Sequence, residues 1–576
     1  MRQEIISNRN NVIINFTLKY CNTSEDLLDS SSFKKILCKY LTLIEKKDTP
    51  VFKYLSSNIP KEEMTEDIIK IFKLLIVFSK KDISEMESNY SKILENKELM
   101  IEFIEGLYSY WRKFERYAII KNTKSSLGLQ NVNFIESMNN FTNLILKTYR
   151  QIEETILEEN HRVYRQLIAG VNAGIILNDH PWKAPSEYIF LKNIPFIESV
   201  ILQPPFITYP KRNTRKGIFN EVFENPLENL EVNYDNWICY PAKVGNLLAF
   251  VYFNINFMAQ GITLCNLFEL AKKEDYENKK PDIIYMYGVK DFDSQMKTEF
   301  YKDSINDIMV GYANYNEDID YFGYMKKMIL TLHNLKMIEK GYLPIHGAMV
   351  NITMKNEKIF NVVIMGDSGA GKSESLEAFR VLSENYIKDM KVIFDDMGFL
   401  KISKSSEKPL GYGTEIGAFV RLDDLDTGYS YKELDRSIFM NPDKINSRII
   451  IPVATYDDIT KGYPVDIFLY ANNYEKGDEI TFFRNSDEAI PVFIDGARMA
   501  KGTTNETGLV KSFFANPFGP VQRKDETSIL IKKYFDKMFE KNILVGQIRT
   551  CLGIEGLEKD GPKKAAKKLF DIIMEM

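Results

Sequence analysis

Residues 360–376 read FNVVIMGDSGAGKSESL. Within them Gly366, Asp367, Ser368, Gly369, Ala370, Gly371, Lys372 and Ser373 satisfy GxxxxGK[ST], the pattern of a phosphate-binding loop. Small residues let consecutive backbone N–H groups turn inward around phosphate oxygens. A helix starting at the lysine presents its positive end to the anion. Lys372 then reaches the β- and γ-phosphates, and the Ser373 hydroxyl is placed for Mg²⁺. The apolar run Phe360 to Met365 predicts a buried strand, and Leu376, Phe379 and Leu382 predict a helix. Strand, glycine loop and helix together separate a nucleotide site from a chance match. A second apolar run, Lys391 to Phe394, ends in Asp395-Asp396, 24 residues beyond Lys372 for the second aspartate. Carboxylates at the end of a strand beside such a loop hold a nucleotide-bound divalent metal; a surface turn or a helix N-cap is the plain alternative.

The rest of the chain must position these groups. It has 576 residues, 44% hydrophobic and 27% charged, which excludes a disordered or fibrous protein and leaves room for several cores. A net charge of -5 creates no field for nucleic acid or an anionic membrane. Five scattered cysteines form neither a disulfide framework nor a zinc motif and suit a reducing compartment. The N-terminus lacks a signal-peptide core, and the apolar stretch Ile68 to Phe78 is interrupted by Lys70 and Lys73, so a cytoplasmic location is expected. Before residue 179 the chain is poor in Pro and Gly. Phe33, Ile36, Leu37, Tyr40, Leu41 and Ile44 recur at helical spacing. This predicts a separate all-helical domain over 1–178, with polar connections such as Asn122 to Ser126. Beyond it, runs such as Leu247 to Phe253 and Ile283 to Tyr287 predict strands of an α/β or α+β body. Lys559 to Met576 reads as an amphipathic helix.

Further motifs occur in order. Tyr321-Phe322-Gly323-Tyr324-Met325-Lys326-Lys327 is followed 19 residues after Lys327 by His346, in Leu-Pro-Ile-His-Gly-Ala-Met-Val. The phosphate loop and Asp395-Asp396 come next. Asn446-Ser447-Arg448-Ile449-Ile450-Ile451-Pro452, the run Val465 to Ala471, and Ala500 to Thr503 with Phe513 to Pro520 complete the series. Over about residues 280–540 this pattern resembles ATP-type phosphoenolpyruvate carboxykinase. The resemblance implies an α/β (α+β) carboxykinase-like phosphate-loop core over 326–576 and an α/β substrate-side subdomain over 179–325.

It also implies roles. Lys327, His346 and Asp396 would bind Mn²⁺, a set in which the lysine coordinates as the neutral amine. Mg²⁺ would sit on Ser373 and the phosphates of ATP. Lys327, Lys372 and Arg448 would act in catalysis, Arg448 by neutralising charge on the phosphoryl group or its acceptor. Tyr321 would lie beside the substrate. A buried structural histidine, a solvated lysine pair and a structural arginine are the plain readings of the same residues.

The departures carry information. The loop GDSGAGKSE and the preceding IHGAMV are similar to HPr kinase/phosphorylase, which phosphorylates a protein serine. The family's lysine after the paired aspartates is met only by Arg421. Its C-terminal arginine is missing from Gly502 to Gly508, where Arg498 or Lys501 are the substitutes at hand. Its carboxylate-binding arginine motif is best matched by Tyr209 to Gly217, in which Arg212 and Arg215 are candidates for gripping substrate; a solvated loop is the alternative.

Three functions are therefore carried forward. The first converts oxaloacetate and ATP to phosphoenolpyruvate, CO₂ and ADP. The second is a kinase of the same fold acting on a protein hydroxyl or a small molecule, with Asp395 as general base. The third is a non-catalytic ATP-binding protein that engages a partner through its N-terminal domain.

Overall fold

The computed structural model describes residues 5–8, 11–17, 21–86, 88–122, 129–158, 167–215, 219–291, 295–367, 369–382, 386–422, 434–500 and 508–576. Ser368, Lys501 to Thr507 and most of the Asn122 to Ser126 connection lie outside the described residues. The chain is mixed α/β and divides into two compact units. The first comprises residues 1–179 with 198–203, the second 180–197 with 204–576. Among the described residues no helix is long and apolar enough to cross a membrane.

The first unit corrects the expectation of an all-helical domain. Strands Asn11–Asn15, Glu115–Asn122 and Ala173–Asn178 pair in parallel, and Ile5–Asn8 adds antiparallel to the first. Helices cover this sheet. In Ser31–Lys46 the predicted stripe is the buried face: Ile36, Leu37, Tyr40, Leu41 and Ile44. Ser30 caps that helix by accepting the Phe33 N–H at 3.1 Å. Ile68, Ile69, Phe72 and Leu75 are buried in Met64–Val77. The strands escaped notice because NVIIN and AGIILN are short. A parallel strand buried on both faces is apolar throughout, and periodicity cannot separate such a run from a buried helix turn.

The second unit is built on three larger sheet regions. Trp237–Val244 and Leu247–Asn254 form a hairpin; Leu247–Asn254 lies parallel to Ile283–Val289, which lies parallel to Ile308–Asn314. The sheet that carries the 366–373 glycine loop runs in the order Tyr463–Pro464, Pro409–Gly413, Met397–Ile402, Leu343–Met354, Ile359–Met365, Ile467–Asn472, Leu544–Arg549, Ile480–Phe482. A third sheet holds Gly417–Arg421, Arg448–Pro452, Ile438–Met440 and Phe206–Thr208. Helix Phe322–Glu339 is buried almost all round, as an interior helix must be. Residues 325 and 326, between which the sequence reading draws a boundary, both lie within it.

Candidate active site

Strand register assembles the site. Leu343–Met354 is a long central strand. Its His346 stands opposite Met397, its Gly347 opposite Met365, and its Met349 opposite Phe394. One strand therefore brings together the histidine, the start of the glycine loop and both ends of the Asp395-Asp396 turn. Two backbone bonds lock the junction: Gly366 N–H donates to the His346 carbonyl, and Gly347 N–H to the Asp396 carbonyl, both at 3.0 Å.

The loop follows strand Ile359–Met365 and ends at helix Lys372–Leu382. Gly369 and Gly371 have φ of +79° and +91°, conformations that side chains resist. At Gly371 a Cβ would also lie 2.6 Å from Thr550. The loop is pinned from outside by Thr550 and Asn473, which have no sequence signature, and by Arg498. Thr550 Oγ1 donates to the Ala370 carbonyl at 2.7 Å, and Asn473 Nδ2 to the Gly369 carbonyl at 2.9 Å. Arg498 is buried and its Nε binds Asp367 Oδ2 at 2.8 Å. Lys372 Nζ donates to the Gly366 and Asp367 carbonyls at 2.8 and 3.0 Å. Ser373 Oγ donates to Asp395 Oδ1 at 3.2 Å. Burial pushes the Asp395 carboxyl up to about 6, against the pull of the Lys372 ammonium and the Ser373 hydrogen bond.

Asp396 is the hub beside the loop. Lys327 Nζ lies 2.6 Å from its Oδ2, Lys326 Nζ 2.7 Å from the same oxygen, and His346 Nε2 3.0 Å from Oδ1. Burial pushes Asp396 up, but Lys326, Lys327 and the His346 bond outweigh it and hold the carboxylate well below its ordinary range. The two lysines part company. Lys326 is fully buried and also binds Glu415 at 2.8 Å; its two carboxylates outweigh burial and raise its pKa. Lys327 is lowered, by burial first and with Lys326 adding to it, against the attraction of Asp396. Lys326, for which a solvated helix face was the plain alternative, is thus a buried lysine between two carboxylates, and Glu415 is its missed partner.

The geometry can be asked whether a cation fits. His346 Nδ1 lies 2.7 Å from the Ala515 carbonyl. A carbonyl only accepts, so Nδ1 carries the proton. Burial lowers the His346 pKa, against the Asp396 hydrogen bond and charge, which raise it. Nε2 and the carboxylate oxygen lie 3.0 Å apart, a separation bridged by a proton or open to a cation that replaces it. A depressed lysine amine, a neutral imidazole nitrogen and a carboxylate are a donor set that fits a transition-metal dication. Among the described residues no cluster of three or more His, Cys, Asp or Glu is placed to hold a metal ion. Phe514 and Ala515, at φ of +53° and +46°, hold an uncommon backbone conformation that delivers the Ala515 carbonyl to His346.

Two aromatic rings gather the remaining cations. Lys327 and Arg215 lie over Phe518, at 4.6 and 5.0 Å from its centroid. Lys326 and Arg448 lie over Phe419, at 5.4 and 5.5 Å. The Tyr321 ring is 6.0 Å from that of Phe419 and feels Arg448 and Arg215 electrostatically. Arg448 Nη2 donates to Asn446 Oδ1 at 3.1 Å, while its Nε is buried with no acceptor. Arg421 is Arg448's cross-strand neighbour. Tyr321, Arg215 and Arg448 thus converge on the Asp396 cluster. Arg212 does not: it pairs with Asp318 at 2.6 Å on the surface, half exposed.

No family model matches the chain, and no curated protein matches it.

Proposed function

We propose that the protein is an ATP-dependent phosphotransferase with a phosphoenolpyruvate-carboxykinase-like phosphate-loop core, converting oxaloacetate and ATP to phosphoenolpyruvate, CO₂ and ADP. The observation that carries the reading is the meeting of Lys327, His346 and Asp396, from three separate stretches of chain, beside the loop that ends in Lys372 and Ser373. ATP is held by the 366–373 loop. Lys372 exchanges its loop carbonyls for phosphate oxygens. Ser373 and Asp395 take Mg²⁺; Lys327, His346 and Asp396 take Mn²⁺. When bound, these ions supply positive charge to the phosphoryl oxygens and to the acceptor's developing anion. Arg448, with its buried unpaired Nε, and Arg215 hold the anionic substrate against Phe419 and Phe518, with Tyr321 beside it. The Lys326–Glu415 pair fixes the lysine that stays charged.

One observation favours a second reading, a kinase acting on a hydroxyl of a protein or small molecule. The Asp395 carboxyl is pushed up to about 6, a value suited to accepting a hydroxyl proton near neutral pH. The test incubates purified protein with labelled ATP, Mg²⁺ and Mn²⁺, once with oxaloacetate and once with cell extract. Phosphoenolpyruvate from oxaloacetate supports the first reading. Label on a protein or metabolite replaces it with the second. ATP binding without either product makes the protein a nucleotide-binding interaction protein. Lys372→Ala is expected to abolish ATP binding on all three readings. Lys327→Ala, His346→Ala and Asp396→Ala are each expected to remove Mn²⁺ dependence; wild-type turnover in all three sinks the metal assignment.

A further inference from the structure

The first unit contains a cavity of about 140 Å³ that the phosphotransferase reading does not use. It lies among helices Ser31–Lys46, Lys97–Arg112 and Leu129–Leu157 and is lined chiefly by apolar side chains. The void is local, because close packing prevails around it. A Cβ at Gly106 would lie 1.9 Å from the Tyr40 hydroxyl, and one at Gly174 would lie 2.3 Å from Met138 Sδ. The pocket is partly open, so its apolar walls meet water, and an apolar occupant that covers them is stabilising.

Two features define that occupant. Its walls are rich in rings: Phe33, Phe72, Trp111 and Phe141, with Tyr108 and Tyr149 stacked on each other at 3.8 Å and 4°. Rings pair best edge-to-face or offset with another ring. Most polar groups on the walls, Ser32 apart, are already engaged. Tyr108 OH donates to the Leu167 carbonyl, Trp111 Nε1 to that of Ala169, and Tyr149 OH to Glu105. Thr148 Oγ1 bonds Ser24 and the Leu144 carbonyl, and Ser30 Oγ donates to the Leu27 carbonyl. A ligand seeking hydrogen bonds from these groups would have to break existing ones. A dry apolar cavity of about 150 Å³ accommodates one benzene ring.

We propose that this cavity is a binding site for an uncharged, ring-sized aromatic molecule. The test uses the full chain with fluorobenzene as probe, observed by ¹⁹F NMR, and n-hexanol as the chain-shaped competitor. Saturable binding is expected, with a nuclear Overhauser effect between a non-fluorinated analogue, toluene, and the Trp111 indole N–H. Toluene is expected to displace fluorobenzene at lower concentration than hexanol. Leu107→Phe and, separately, Ile145→Phe are expected to fill the space, weakening fluorobenzene by about tenfold or more while raising the melting temperature. Binding that fails to saturate overturns the proposal. So does saturable binding without the contact to Trp111, stronger displacement by hexanol, or undiminished binding in a folded filled variant. Should neither variant fold, the wild-type contact and the competitor order decide alone.

Discussion

Asp396 faces three nitrogens at once, and each nitrogen answers a different need. Lys326 is the fixed counter-charge, Lys327 the amine that burial disposes to neutrality, and His346 the imidazole whose orientation is set by the Ala515 carbonyl. Removing one partner of a buried pair leaves the other uncompensated, so the two lysines should separate in mutagenesis. Lys326→Met strands Glu415 in the interior and should cost about 3 kcal/mol or more of stability, measured by urea unfolding. Lys327→Met should cost less stability but weaken Mn²⁺ binding at least tenfold, measured by paramagnetic resonance of the free ion. Equal effects of the two substitutions on both measurements would contradict the division of roles.

The glycine loop depends on elements remote in sequence. Strand Ile359–Met365 and helix Lys372–Leu382 bracket it, but Asn473 and Thr550, each beyond the end of another strand of the same sheet, hold its carbonyls. Two of its glycines separate strain from space. Gly369→Ala meets no atom within 4 Å and bears only its positive φ, a cost of about 1 kcal/mol. Gly371→Ala carries the same strain and also drives a methyl group into Thr550 at 2.6 Å. ATP titration should therefore show a modest loss for Gly369→Ala, within about tenfold, and a loss of about a hundredfold or more for Gly371→Ala. Thr550→Ser should recover part of the second loss. This tests the packing rather than the chemistry, since serine lacks the Thr550 methyl that would lie 2.9 Å from the added Cβ but keeps the hydroxyl that holds the Ala370 carbonyl.

For the whole molecule the acid side of the stability curve has a named contributor. His333 is fully buried in helix Phe322–Glu339, and burial lowers its pKa from 6.5 to about 4. Below pH 6.5 the unfolded chain takes up a proton that the folded chain refuses until about pH 4. Stability is then fully present above 6.5 and falls as pH drops through that window, by about 3 kcal/mol from this residue. His333→Leu should flatten the curve between pH 6.5 and 4 relative to wild type, measured as urea midpoints on the two proteins. Parallel curves would show that His333 is not the source. The chain crosses between the two units at 179/180, 197/198 and 203/204, so neither is a simple half of the sequence.

Much of this was legible in the residues. The glycine loop, its strand and helix, and the helical stripes of the first unit follow from short-range rules: backbone freedom, periodicity and the pull of an apolar face. The trio Lys327, His346 and Asp396 was implied by the family resemblance that the ordered motifs carry, and folding brings the three side chains together. Other features escaped because their causes are long-range. Glu415 is an ordinary glutamate until folding buries it against Lys326. Arg215 and Arg212 stand three residues apart in one basic loop, yet one is drawn onto Phe518 and the other pairs with Asp318 on the surface. The strands of the first unit were hidden because a short apolar segment satisfies a helix and a buried strand equally, and only the neighbouring chain decides which backbone partners it finds. Sequence alone determined that a strand, a glycine loop and a helix would follow one another over residues 360–382. Tertiary packing decided which charges are buried together, because desolvation depends on everything that surrounds a group and not on its neighbours along the chain.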